Sequence, residues 1–131
     1  MKKRKIYLAS PLFTELEKEN VRKTASLLRS QGIEVYVPME HIIPNSRYMP
    51  NNQWAGLVFS EDVKAINDSD LVVCLYYGLM SDSGTAWECG YAYAKGIPVE
   101  LITVGEPAEC SLMIVQGALN RDEIAKTTYQ T

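Results

Sequence analysis

The chain has 131 residues, of which 47% are hydrophobic and 22% charged, the composition of one globular domain spanning residues 1–131. A net charge of −3 argues against a protein that binds nucleic acid or anionic membranes through bulk positive charge. The three cysteines have no CxxC spacing, which favours neither a disulfide framework nor a zinc site and predicts a reducing, cytoplasmic setting. No stretch approaches the ~20 apolar residues of a membrane helix.

The first third of the chain predicts a strand, a helix and a second strand. Residues 6–9 form a short apolar run, which is typical of a buried strand. Thr14 and Glu17 have the spacing of a capping box, and Gly32 is suited to end the helix that follows. Residues 33–37 are β-branched and aromatic, so we expect a second strand there.

A long loop is expected over residues 38–55, because this stretch contains two prolines and two adjacent asparagines. The apolar spacing then predicts a helix over residues 57–67, with Ser60 near its start and Asp62 early in it. A final set of elements follows in chain order: a strand over 70–76, a loop over 77–81, a helix over 82–95 ended by Gly96, a strand over 97–104 and a helix over 112–119. We assign no structure after Asn120.

Strands that alternate with helices indicate parallel βαβ units, and therefore a three-layer α/β fold. Ligands of such folds bind beyond the carboxyl ends of the strands. The candidate residues near that edge are Tyr7 in the first strand and Asp82 and Glu88 in the helix that starts near residue 82.

Each candidate has a structural alternative. Glu88 is expected near a helix N-terminus, which would stabilise it as an anion suited to be a nucleophile, but a solvated surface glutamate fits the pattern equally. Asp82 is also suited to cap the helix, and Tyr7 is also suited to fill the core. Asp62 has a structural alternative as well, because acidic residues are common in the first turn of a helix. Together, three carboxylates suggest glycoside chemistry, which uses one acid and one carboxylate nucleophile.

Other patterns are weaker. His41 is the only histidine, and the sequence has no GxSxG, P-loop or GxGxxG motif and no cluster of metal ligands. Trp87 and the pair Tyr76-Tyr77 are able to stack on a nucleobase, although core packing is the default expectation for such side chains.

Four segments in order resemble the nucleoside 2-deoxyribosyltransferase family. They are residues 6–13, Asp62 followed by residues 70–73, residues 82–92, and residues 111–113. The third segment, with the pattern D-x-G-T-A-x-E-x-G, is the specific one. The resemblance covers roughly residues 4–119 and implies a flavodoxin-like, or Rossmann-like, fold with a parallel sheet of four to five strands.

The resemblance also implies an activity: nucleobase exchange on 2′-deoxyribonucleosides, through a covalent deoxyribosyl-glutamate intermediate and with no metal or organic cofactor. By this resemblance, Glu88 would be the nucleophile, Tyr7 would orient its carboxylate, and Asp62 would protonate the departing base. Asp82 would bind the 5′-hydroxyl. Further substrate contacts would come from Gly84, Ser111 and Met113. The family forms homo-oligomers, in which a neighbouring subunit supplies the segment equivalent to residues 111–113.

One departure keeps a second activity open. Ser111 stands where the transferases usually have asparagine, and serine there resembles the deoxynucleoside 5′-monophosphate N-glycosidases, which are hydrolases. Those hydrolases have a small hydroxyl residue where this chain has Asp82, and an anion opposite a phosphate would repel it. The sequence thus favours a nucleoside substrate and a transferase, with a hydrolase as the alternative and a non-catalytic nucleotide-binding module as a second alternative.

Overall fold

The computed structural model describes residues 3–80, 82–105, 109–124 and 128–129. The strands are β1 (Lys5–Ala9), β2 (Glu34–Tyr36), β3 (Leu71–Tyr76), β4 (Val99–Thr103), β5 (Glu109–Cys110) and β6 (Thr128–Tyr129). The helices are α1 (Glu15–Ser30), α2 (Asn51–Asn67), α3 (Ser83–Ala94), α4 (Leu112–Gln116) and α5 (Arg121–Ile124). No helix in these described ranges is long and apolar enough to span a membrane.

The main sheet has four parallel strands in the order β2-β1-β3-β4, which confirms the predicted α/β fold class. This order is that of the first four strands of flavodoxin-like sheets. In register, Tyr7 of β1 lies beside Tyr36 of β2 on one side and Val72 of β3 on the other. The sequence did not predict the short parallel pair β5-β6, whose strands have two residues each.

Alternating side chains of each strand divide the core into two layers. Ile6 and Leu8 of β1 pack with Val21 and Ala25 of α1 on one face. Tyr7 and its neighbours on the other face pack with α2, α3 and α4. Because side chains of a strand alternate in direction, β1 contributes to both layers at once, and only one of them meets the candidate residues.

The capping box of α1 is confirmed. The Thr14 hydroxyl accepts a hydrogen bond from the backbone N–H of Glu17 at 3.1 Å, and the Glu17 carboxylate accepts one from the N–H of Thr14 at 2.9 Å. Gly32 follows the helix with φ of 82°, a conformation that favours glycine. This helix covers the apolar face of β1 and β2.

The prediction of where α2 begins is wrong. The helix starts at Asn51 rather than at residue 57, because Pro50 acts as its N-cap and its carbonyl accepts from the N–H groups of Gln53 and Trp54, both at 3.1 Å. The expected loop over residues 38–55 is correspondingly shorter and contains two single 3₁₀ turns. Asp62 therefore lies in the second half of α2 and is not a first-turn acid.

The last predicted helix is also too long. It ends at Gln116, and a separate short helix, α5, follows. Between them the chain binds the edge of the sheet: the Asn120 side chain accepts from the N–H of Leu101 at 3.1 Å and donates to its carbonyl at 2.7 Å. These bonds satisfy backbone groups at the edge strand β4, which a continuous helix would leave open to solvent.

Candidate active site

Tyr7 and Glu88 meet beyond the sheet. Tyr7 is on β1 and is fully buried, and its side chain points toward α3. Glu88 is in the second turn of α3, where its side chain is mostly buried. The Tyr7 hydroxyl donates a hydrogen bond to Oε2 of Glu88. The tyrosine therefore fixes one oxygen of the glutamate, and its burial raises the pKa of its own hydroxyl far above the ordinary value.

The environment of Glu88 favours its neutral form. The pKa of Glu88 is raised to about 7, chiefly by burial and in lesser part by the nearby carboxylates of Asp62 and Asp82, while the hydrogen bond from Tyr7 opposes them. Burial therefore outweighs any stabilisation of the Glu88 anion by the helix N-terminus that the sequence predicts. Another carboxylate, that of Asp82, already accepts from the first N–H groups of α3, so desolvation dominates at Glu88.

Asp82 caps α3. Its side chain accepts from the N–H of Gly84 at 2.6 Å, from the N–H of Thr85 at 3.3 Å and from the Thr85 hydroxyl. A Cβ atom at position 84 would lie 3.0 Å from Oδ1 of Asp82, so the cap is fitted to glycine there. The capping interpretation of Asp82 is thus confirmed, and the same carboxylate also borders the site.

Asp62 projects from α2 into the same region. The hydroxyl of Tyr36 donates to its Oδ1 at 3.2 Å. Burial raises the pKa of Asp62, and Glu61 adds to this, whereas the hydrogen bond from Tyr36 and the nearby His41 oppose it. Asp62 and Glu88 are therefore two partly desolvated carboxyl groups, each with a tyrosine hydroxyl on one oxygen.

These carboxylates border one cavity of about 560 Å³, a size typical of small-molecule sites. Of the predicted site residues, Asp62, Asp82, Gly84 and Glu88 line it. Its apolar walls include Phe13, Phe59 and Trp87, among other side chains. Trp87 is 48% exposed and makes an edge contact with Phe59, with ring centroids 5.3 Å apart. Core packing was therefore the wrong default for Trp87, whereas it is right for Tyr76, which is fully buried.

Ser111 and Met113 lie apart from this cavity. They line a second cavity of about 490 Å³, which borders α3 and α4. The backbone N–H of Ser111 donates to the Tyr76 hydroxyl at 2.6 Å, and the Met113 side chain is 81% exposed. Within one chain, the structure does not bring these two residues together with the other five predicted site residues.

Several residues at the site were not predicted from the sequence, and two of them are aromatic residues of particular interest. The hydroxyl of Tyr36 donates a hydrogen bond to Asp62, and Phe59 lines the wall of the cavity. A signal for Tyr36 was present, because it is an aromatic residue at the carboxyl end of the second strand, the edge to which the sequence already pointed. Phe59 gave no comparable signal, because its position depends on the true start of α2. No group of three or more potential metal ligands occurs in the ranges that the structure describes.

The family model of the nucleoside 2-deoxyribosyltransferases matches residues 6–113, and the chain belongs to this family. A solved 2-deoxyribosyltransferase from Bacillus psychrosaccharolyticus is 33% identical, with a TM-score of 0.78 over 92% of this chain and 89% of that one. A nucleoside deoxyribosyltransferase from Lactobacillus leichmannii is 23% identical over 81% of this chain and 74% of its own length.

The fold also occurs in a protein whose activity differs from that of these relatives. A CMP N-glycosidase from Clostridium botulinum has a TM-score of 0.57 with this chain, over 97% of this chain and 88% of that one, at 22% identity. That likeness concerns the fold alone.

Proposed function

We propose that this protein is a nucleoside 2-deoxyribosyltransferase that transfers the deoxyribosyl group of a 2′-deoxyribonucleoside from one nucleobase to another. The observation that carries the proposal is the Glu88 carboxylate, held by the Tyr7 hydroxyl and bordering a cavity that Asp62 also lines. A nucleophile fixed by a donor and a second carboxyl group are what a retaining displacement at a sugar carbon requires.

In the first half of the reaction, an oxygen of Glu88 forms a bond to the anomeric carbon while the bond from that carbon to the base nitrogen breaks. Asp62 gives its proton to the base, which leaves as a neutral molecule. The electron pair of the broken bond goes with the base. The developing positive charge on the sugar is stabilised by the carboxylate, which then holds the sugar as an ester.

In the second half, a nitrogen of the incoming base attacks the same carbon and the ester bond to Glu88 breaks. Asp62, now ionised, accepts the proton that the base loses. Two inversions give net retention at the sugar carbon. The cycle restores both carboxyl groups and requires no group beyond the residues named.

The cycle requires Glu88 ionised and Asp62 protonated, and burial raises the pKa of both. For Asp62 this direction suits an acid. For Glu88, a pKa of about 7 means that kcat/KM rises with pH through about 7, as the nucleophile loses its proton.

We further propose that the enzyme is a homo-oligomer with shared sites. Ser111 and Met113 lie outside the first cavity of their own chain, and Met113 is largely exposed. A neighbouring subunit that places its residues 111–113 over the cavity would shield the ester from water.

The test is incubation of the protein with 2′-deoxyinosine and free adenine. We expect 2′-deoxyadenosine in amounts that match the hypoxanthine released, and no product with Glu88→Gln. Failure to form the new nucleoside with any of several base pairs would contradict the proposal.

Ser111 favours one alternative, the N-glycosidase, in which water takes the place of the incoming base. Release of free deoxyribose at a rate that added adenine does not change would select it. Nucleoside binding without turnover, unchanged in Glu88→Ala, would instead select the non-catalytic module.

A further inference from the structure

Two tyrosines lie side by side on one face of the sheet, and each donates a hydrogen bond to one of the carboxyl groups of Glu88 and Asp62. Tyr7 of β1 and Tyr36 of β2 are register partners, so they point to the same face. Their rings stack with centroids 5.5 Å apart and an angle of 13° between the planes. The Tyr7 hydroxyl donates to Glu88, and the Tyr36 hydroxyl donates to Asp62. Strand register thus fixes the separation of the two donors.

We propose that Tyr36 is a positioning residue for Asp62, and that His41, stacked on Tyr36, fixes the orientation of its ring. The inference rests on the proposed function, in which Asp62 moves the proton of the base. Tyr36 would hold Asp62 as Tyr7 holds Glu88. The two hydroxyls would then keep the acid and the nucleophile at a constant spacing through both halves of the reaction.

The contact with Tyr36 selects between the two oxygens of Asp62. On this proposal, Oδ1 accepts from the hydroxyl of Tyr36 and Oδ2 carries the proton that passes to the base. A carboxyl group without this restraint would rotate about its side-chain bonds. Proton transfer needs a heavy-atom separation of about 2.6–3.2 Å, so loss of the restraint lowers the fraction of productive complexes.

His41 is held against Tyr36 by its surroundings. The two rings are 4.0 Å apart between centroids, and their planes differ by 10°. The preceding residue, Glu40, forms a two-point ion pair with Arg29 at 2.6 and 3.0 Å. Arg29 also donates to the carbonyl of Val35 at 2.9 Å. The start of the loop after β2 is therefore anchored to the end of α1, and with it the histidine ring.

The groups around Asp62 come from every neighbouring element. They are Tyr36 of β2, His41 of the loop, Glu61 of α2, Glu88 of α3 and Tyr7 of β1. The hydrogen bond from Tyr36 favours the ionised form of Asp62. Its removal therefore raises the pKa of Asp62 and moves the alkaline limb of the kcat profile to higher pH.

The experiment compares Tyr36→Phe with the native enzyme on two substrates, 2′-deoxyguanosine and 7-methyl-2′-deoxyguanosine, and measures release of the base in the first turnover, before any acceptor base is added. The methylated base carries a positive charge and leaves without being protonated. We expect the first-turnover rate of base release to fall about 10-fold or more on 2′-deoxyguanosine and less than about 3-fold on the methylated substrate, because only the first needs Asp62 to protonate the departing base. KM should change little for either.

Equal losses on the two substrates, or an unchanged alkaline limb, would overturn the proposal and leave Tyr36 a structural residue. A native enzyme that is inactive on both substrates and also fails to exchange bases between 2′-deoxyinosine and adenine would instead contradict the proposed function itself. Tyr91→Phe is the matched control, because it removes a hydroxyl that donates at 3.0 Å to Asn67 of α2, outside the cavity lining. Its activity ratio for the two substrates should equal that of the native enzyme.

A second pair of variants tests His41. His41→Ala removes the stacked ring, and we expect its substrate ratio to move toward that of Tyr36→Phe. His41→Phe keeps a flat ring and should restore the native ratio. If His41→Ala has the native ratio, or if His41→Phe does not restore it, the role given to His41 is overturned.

Discussion

The two faces of the sheet differ although the same strands build both. On the α1 face, β1 contributes Ile6 and Leu8, which pack in a cluster of apolar side chains. On the α2/α3 face, the same strand contributes Tyr7 and Ala9, and Tyr7 extends a hydroxyl to Glu88. Neighbouring residues of β1 therefore have different roles: one packs in the apolar core, and the next donates a hydrogen bond to a carboxylate.

The site lowers the stability of the fold, and the other face of the sheet compensates for it. A carboxyl group that is shielded from solvent is unfavourable in its charged form. Both Asp62 and Glu88 are shielded in this way. The core of the α1 face consists of buried apolar side chains, which stabilise the fold by leaving water. Variants on the two faces should consequently separate stability from turnover.

The largest expected effect is on turnover. Glu88→Gln keeps an oxygen that can accept from the Tyr7 hydroxyl but has no nucleophilic carboxylate, so kcat/KM should fall by at least about 1,000-fold. Steady-state kinetics of base exchange measure this loss, and nucleoside binding by calorimetry checks that the site persists. Activity within about 10-fold of the native value would contradict the assignment of Glu88.

Leu8→Ala should have the opposite pattern. Leu8 is 1% exposed on the α1 face, and its truncation should lower the free energy of unfolding by about 2–5 kcal/mol. The folded protein should keep kcat, because the change lies on the other side of the sheet from the carboxylates. Urea denaturation and kinetics at low temperature measure both quantities. A large loss of kcat in folded protein would show that the two faces are not separable.

Glu88 should also cost stability as pH rises. Its folded pKa, about 7, is above its unfolded value of 4.5, so the group stabilises the fold fully below pH 4.5 and loses that contribution as pH rises through 7. Since glutamine does not titrate, Glu88→Gln should gain about 2–3 kcal/mol over the native protein between pH 4.5 and pH 8. Urea denaturation at several pH values tests this, and a difference that does not change with pH would contradict it.

Tyr7→Phe has the smallest expected effect. It keeps the buried ring and removes the hydroxyl, so kcat should fall about 10- to 100-fold with little loss of stability. The Tyr7 hydrogen bond lowers the pKa of Glu88, so its removal should move the acid limb of kcat/KM to higher pH. An unmoved limb would show that Tyr7 does not act through Glu88.

Much of the fold followed from local sequence signals. The capping box at Thr14, the apolar runs of β1 and β3, and the pattern around Asp82 and Glu88 all gave the right element types. The start of α2 did not follow, because Pro50 read as a loop residue while the structure uses it as a helix cap. The chain after α4 did not follow either, because its course depends on Asn120 bonding to the edge strand.

The site was predictable only in part. Tyr7, Asp62, Asp82 and Glu88 came from motifs, and the structure brings them together. The proximity of Tyr36 to Asp62 depends on strand register and on the true extent of α2, which no motif encodes. The raised pKa of Glu88 depends on how much solvent three elements exclude together, which is a property of the packed molecule rather than of any segment.

The central claim is that Glu88 takes the sugar covalently. The most direct measurement is incubation with a 2-fluoro-2-deoxyribosyl nucleoside, whose fluorine disfavours positive charge on the sugar and slows release of the ester, followed by proteolysis and mass spectrometry. The account predicts one fluorodeoxyribosyl group per chain, on the peptide that contains Glu88 and on that side chain. A label on Asp62 or Asp82, or inactivation without any label, would contradict it.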